Sequence, residues 1–182
     1  MDGEQYSDEE KMYDDFYMQP NTHSEALKEI FEFRNTGLDT EVWFVALGSE
    51  NANHSGMKSF MKEHERDLHG AIVIEIDALG AGDLSYIGNE GRYKTVATSS
   101  RMKRYVDKAA SALGMSVNTA DIPYLDSAAS VANKAGTQAL HLVGMNGAKP
   151  ALLGQYNDTF DAIDEDLLVQ NEEFILELMK SI

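Results

Sequence analysis

No cysteine occurs in the 182 residues, which excludes a disulfide framework and thiolate chemistry. Basic residues are scarce: Lys plus Arg number 15 against 31 Asp plus Glu, a net charge of −16. That field repels phosphate backbones and anionic lipid surfaces, so no nucleic acid and no direct membrane insertion is expected. No apolar run reaches membrane-spanning length, and the start lacks the basic-then-apolar pattern of a signal peptide. The expectation is a soluble chain, or the soluble, extracytoplasmic part of a larger anchored protein. Two catalytic signatures are missing as well. The GAGD of Gly80 to Asp83 has neither the dinucleotide-loop nor the Walker spacing, and no lysine. No Gly-x-Ser-x-Gly elbow turns Ser49, Ser55 or Ser127 into a triad nucleophile.

What is present suits one globular domain: 43% hydrophobic and 9% aromatic residues can fill a core. Residues 1–20 are acidic and tyrosine-rich, and read as a flexible lead-in to a domain over 21–182. Apolar spacing predicts an amphipathic helix from Asn21 to Asn35 and a buried strand in EVWFVAL, Glu41 to Leu47. A helix from Ser55 to Leu68, a buried strand ending on Asp77 and a short strand at LSYIG follow. Next come a helix from Thr98 to Gly114 with a serine cap and a glycine stop, and a weak strand at MSVNTA. A small-residue helix headed by Asp126 as its cap, a strong strand over Thr137 to Met145 and a closing helix from Asp164 complete the order. Alternating helices and strands predict an α/β fold: a three-layer α-β-α sandwich on a mainly parallel, mixed central sheet. Ligands in such sheets sit beyond the carboxyl ends of the strands. Three loops compete for that place: Gly48 to Gly56, Asp77 to Gly82 and Gly144 to Asp158.

The first of these, GSENANHSG, brings Glu50, Asn51 and His54 to a strand end, while IEIDALG brings Asp77 to the next. Carboxylates delivered there serve as metal ligands or as acids and bases. With GSENANHSGMKSF, IEIDALG, LDSAASVANKAGTQALHLVGM and NDTFDAIDEDLL in this order, the chain resembles the co-catalytic di-zinc aminopeptidases of peptidase family M28. In that family a Glu-Glu pair follows the first of these strands. Its first member is the general base on a zinc-bound water and its second binds zinc. The resemblance makes Glu50 the match to the base, a vestigial one, and puts Asn51 at the ligand position. Asp77 matches a zinc ligand. Pro20 stands where the bridging aspartate falls and Gly154 where the last zinc-binding histidine falls. The family's first histidine comes from strands upstream of Asn21, so the domain is expected to be cut short on its N-terminal side.

A catalytic zinc needs about three protein ligands and an open water position. The resemblance therefore implies a peptidase-like domain with a degenerate site, no cofactor and no zinc-dependent hydrolysis, serving a protein or peptide partner. The alternative is an active metallo-aminopeptidase with a rearranged or externally completed zinc site. Asp77 and His54 would bind the metal there, helped by His23 or Asp158. His54 by itself reads as a loop histidine, His64 and His69 as surface residues, and His141 as a satisfied core or helix-facing histidine.

Overall fold

The computed structural model describes residues 40–49, 52–152 and 155–182. The lead-in over 1–20, the helix expected from Asn21 to Asn35, and Glu50, Asn51 and Gly154 lie outside the described residues. The elements run α1 (Ser55–Glu63), β1 (Ile72–Asp77), β2 (Asp83–Glu90), β3 (Val96–Ala97), α2 (Ser100–Leu113) and β4 (Asn118–Ile122). They continue with α3 (Ala128–Lys134), β5 (Gln138–Asn146), β6 (Lys149–Pro150), a 3-10 turn (Phe160–Ala162) and α4 (Glu165–Ser181).

The six strands form one mixed sheet in which β1, β5 and β2 are neighbours, β4 pairs β2 on its far side, and β3 and β6 are short additions. β1 runs parallel to β5 and β2 parallel to β4, while β2 is antiparallel to β5. Side chains along a strand alternate between faces, and β5 shows it. Leu140 and Leu142 join the larger core with Leu84 and Tyr86 of β2, Met102 and Val106 of α2, and Phe174, Ile175 and Leu178 of α4. Ala139 faces the other way, against Met57 of α1 and Ala128, Ala129 and Ala132 of α3. Helices thus cover both faces, and the three-layer α/β sandwich expected from the alternation is observed.

Helix ends follow their caps. Ser99 accepts from the Met102 amide, and Gly114, at φ 64°, stops α2. Asp164 caps α4 by accepting from the Leu167 amide. At α3 the expected cap is off by one residue: Ser127 is the N-cap, in a reciprocal capping box with Ser130. Asp126 instead bonds Lys134 and the Ser130 hydroxyl. The Ser127 hydroxyl accepts from the Ser130 amide and the Ser130 hydroxyl accepts from the Ser127 amide, so the pair satisfies two backbone donors at the start of α3.

The strand expected at Glu41 to Leu47 is a correction. Residues 41–49 form no strand among the described residues, and Val42, Trp43, Val45 and Leu47 are exposed. Phe44 alone is half-buried, against the larger core. Apolar composition records a preference for burial, whereas a strand also requires a neighbour's hydrogen-bonding edge, and no described strand pairs with this run. α1 is also shorter than expected, ending at Glu63 and passing through turns to Gly70.

The loop after β1 is held closely. Ala78 takes a left-handed conformation (φ 49°), so the chain turns sharply behind Asp77. Gly144 of β5 lies against this loop, where an added Cβ would stand 1.8 Å from the Ala81 carbonyl oxygen. On the other side, the Asn171 side chain of α4 donates to the Leu79 carbonyl at 2.7 Å.

Candidate functional site

Period two along β1 puts Glu75 and Asp77 on one face of the sheet. The parallel register sets His141 directly across from Glu75, so its imidazole rises from that same face, towards α3. Three side chains from two neighbouring strands thereby converge near the carboxyl end of β1.

The Nε2 of His141 lies 2.9 Å from Asp77 Oδ2, and its Nδ1 lies 3.3 Å from Glu90 Oε2, reaching over from β2. Both ring nitrogens thus face carboxylates, an arrangement complete only when both carry hydrogen and donate. Glu75 is held from the other side: the Ala128 and Ala129 amides, in the first turn of α3, donate to its two carboxylate oxygens at 3.0 and 2.6 Å. Free amides at a helix start and the helix dipole both favour an anion there.

Burial and charge pull these groups in opposite directions. His141 and Glu90 are each only 4% exposed. Burial by itself would lower the His141 pKa, but hydrogen bonds to Asp77 and Glu90 and the nearby Glu75 charge raise it to about 10. Burial raises the pKa of Glu75, and repulsion from Asp77 adds to that; His141 and the two amides oppose it. Three carboxylates around one imidazole therefore form a cluster that strongly favours a proton or another cation at its centre.

Among the described residues, Glu75, Asp77 and His141 are the one group of three whose ligand atoms all lie within 4.8 Å of one another. Asp77 was singled out by the sequence, whereas its companions were not. His54 stands elsewhere: it precedes α1 with φ 51° and lines a cleft of about 410 Å³ with Tyr93, Asp126 and Lys134. Asp158 is likewise outside the three-residue group, and Glu50 and His23 lie outside the described residues. His141 is buried and hydrogen-bonded at both nitrogens, as a satisfied core histidine should be. Glu75 was legible in principle, because a carboxylate two residues before Asp77 on a strand must share its face. Glu90 carried no such signal.

The pair of zinc ions implied by the resemblance does not fit this donor set. Asn51 and Gly154 offer neither carboxylate nor imidazole, and the donors gathered around Asp77 suffice for one cation.

Comparison with known proteins bears on the fold and the family. The sequence profile described as Peptidase family M28 matches residues 23–179. No curated protein matches the sequence. Among solved structures, the LapA aminopeptidase of Legionella pneumophila is similar at 12% identity and a TM-score of 0.55, covering 69% of this chain and 35% of that one. The aminopeptidase from Aneurinibacillus sp. strain AM-1 is similar at 16% identity and a TM-score of 0.55, covering 72% of this chain and 31% of the other. At these identities the likeness concerns the fold. The matched part of the chain spans about a third of the length of those aminopeptidases.

Proposed function

The chain belongs to peptidase family M28, and from that membership we propose a peptidase-like domain that engages a protein or peptide without zinc-dependent hydrolysis. The observation carrying this reading is that two clefts of the described residues are lined without the titratable cluster. A cleft of about 630 Å³ lies at the opposite end of the sheet, lined by His69, Ile72, Arg101 and Gln138 near the starts of β1 and β5. The cleft of about 410 Å³ is lined by His54, Lys58, Asp126 and Lys134. Neither is lined by Glu75, Asp77, Glu90 or His141. A peptide bond must reach the reacting groups to within about 3–3.5 Å, and these clefts offer no such approach. The partner half of the reading is supported by the exposed apolar run of Val42, Trp43, Val45 and Leu47, a kind of surface that marks contact sites. Among the described residues no helix is long and apolar enough to cross a membrane.

The test is turnover of an aminoacyl chromogen by chelator-treated protein, before and after adding zinc. The reading expects no release above the buffer rate in either case. A second reading, an active metallo-aminopeptidase with a rearranged centre, draws on the three donors around Asp77. It expects release that zinc restores and chelator abolishes.

A further inference from the structure

We propose that Glu75, Asp77 and His141 form a structural site for one divalent cation of the zinc class, with Glu90 holding the outer nitrogen of His141. The donor types suit such an ion, since carboxylate oxygen and imidazole nitrogen both bind zinc at about 2.0–2.2 Å. The donors are also held in place. β1 and β5 are hydrogen-bonded neighbours with Glu75 and His141 in direct register, so two of the three ligands are fixed by the sheet rather than by a loop.

Orientation is the second argument. A metal-bound histidine almost always donates its other ring N–H to a carboxylate or carbonyl, which fixes the tautomer and the ring plane. Glu90 stands 3.3 Å from His141 Nδ1, in that role. Glu75 is oriented in turn by the amides of Ala128 and Ala129. Each carboxylate oxygen offers two lone pairs, so accepting from one amide leaves a donor pair over.

Charge supplies the third argument. Among the described residues no lysine or arginine forms an ion pair with Glu75 or Glu90; the ion pair of Glu90 is with His141. Buried carboxylates that outnumber their cationic partners are costly unless an ion or a proton compensates them. A divalent cation between β1 and β5 would neutralise this excess and tie the two strands together. The inference goes beyond the functional reading and leaves it standing, because neither cleft is lined by the three donors. Of the three donors, Asp77 alone coincides with a ligand position implied by the family resemblance.

The experiment uses the full chain, stripped with chelator and titrated with zinc or cobalt alone. One equivalent should bind per chain and, at a hundredfold excess over Kd, raise Tm by roughly 5–10 °C. Cobalt should give a visible spectrum of nitrogen and oxygen donors. It should also shift the proton signals of a single histidine ring, a wild-type readout that needs no variant. Glu75→Gln and His141→Gln should lose the Tm rise, Glu90→Gln should weaken binding about 10–100-fold, and His54→Ala should bind as the parent does. The proposal is overturned if the parent takes up no metal, if its cobalt complex shifts no histidine, or if Glu75→Gln binds as tightly as the parent. Turnover of the chromogen by the zinc-loaded protein would contradict the functional reading and leave the site intact. Failure to bind metal would remove the site and leave that reading intact.

Discussion

The two faces of the sheet are built on different principles. On the α2–α4 face, large apolar side chains interlock: Phe174, Leu178 and Leu142 are fully buried with Met102 and Val106. On the α3 face the helix offers alanines, with Ala129 and Ala132 fully buried, and the space beside them holds Glu75, Asp77 and His141. Small residues let α3 approach the sheet closely enough for its first amides to reach Glu75. One face contributes stability through buried apolar area, about 25 cal/mol per Å². The other holds a charged group in a fixed geometry, and its stability depends on every charge finding a partner. The first kind of face degrades gradually when altered. The second should fail all at once.

That contrast can be broken deliberately. On the apolar face, Phe174→Ala should cost about 3–5 kcal/mol through lost burial and a cavity, measured by urea unfolding. His141→Leu, close in volume, should cost about as much for a different reason, since it leaves carboxylates buried without their imidazole partner. If His141→Leu proves neutral, the cluster is not held together by charge. The two substitutions lie on opposite faces, so their effects should add; strong coupling would show that the faces are not independent.

A smaller effect is expected from pH, in chelator-treated protein. The His141 pKa is raised from 6.5 to about 10 in the folded state, so its protonated form is the one that folding favours. Its stabilising contribution is complete below about pH 6.5 and declines as pH rises to about 10. The raised Glu75 pKa acts in the same direction. Unfolding midpoints followed from pH 6 to pH 10 should therefore fall, and the fall should flatten in His141→Gln. Phe174→Ala should keep the slope of the parent.

The smallest effect separates two neighbours at the start of α3. Ser127→Ala should cost about 0.5–2 kcal/mol, the usual loss of a serine cap. Asp126→Ala should cost less, because its pairing with Lys134 is partly exposed and such pairs contribute about 0–1 kcal/mol. The reverse order would return the cap to Asp126.

Much of this architecture was legible beforehand, for reasons visible in particular segments. IVIEID and QALHLVGMN have apolar content and period-two spacing that suit buried strands. α2 carries both its start and stop signals. Asp77 followed from the ordered likeness of four segments to the family. EVWFVAL misled because its residues favour burial while strand formation depends on a partner, which lies elsewhere in the chain. The cluster itself was hidden for a similar reason. His141 was read as a satisfied interior histidine, and the ring is buried, but its partners come from β1 and β2, 64 and 51 residues away along the chain. Register between strands decides that meeting, and register is a property of the folded sheet.

The count of zinc ions bound per chain at saturation, by equilibrium dialysis of the stripped protein, tests the central claim most directly. One ion, lost in Glu75→Gln, is the predicted result. Two ions per chain, retained in that variant, would mean that a paired metal centre exists beyond the cluster described around Asp77.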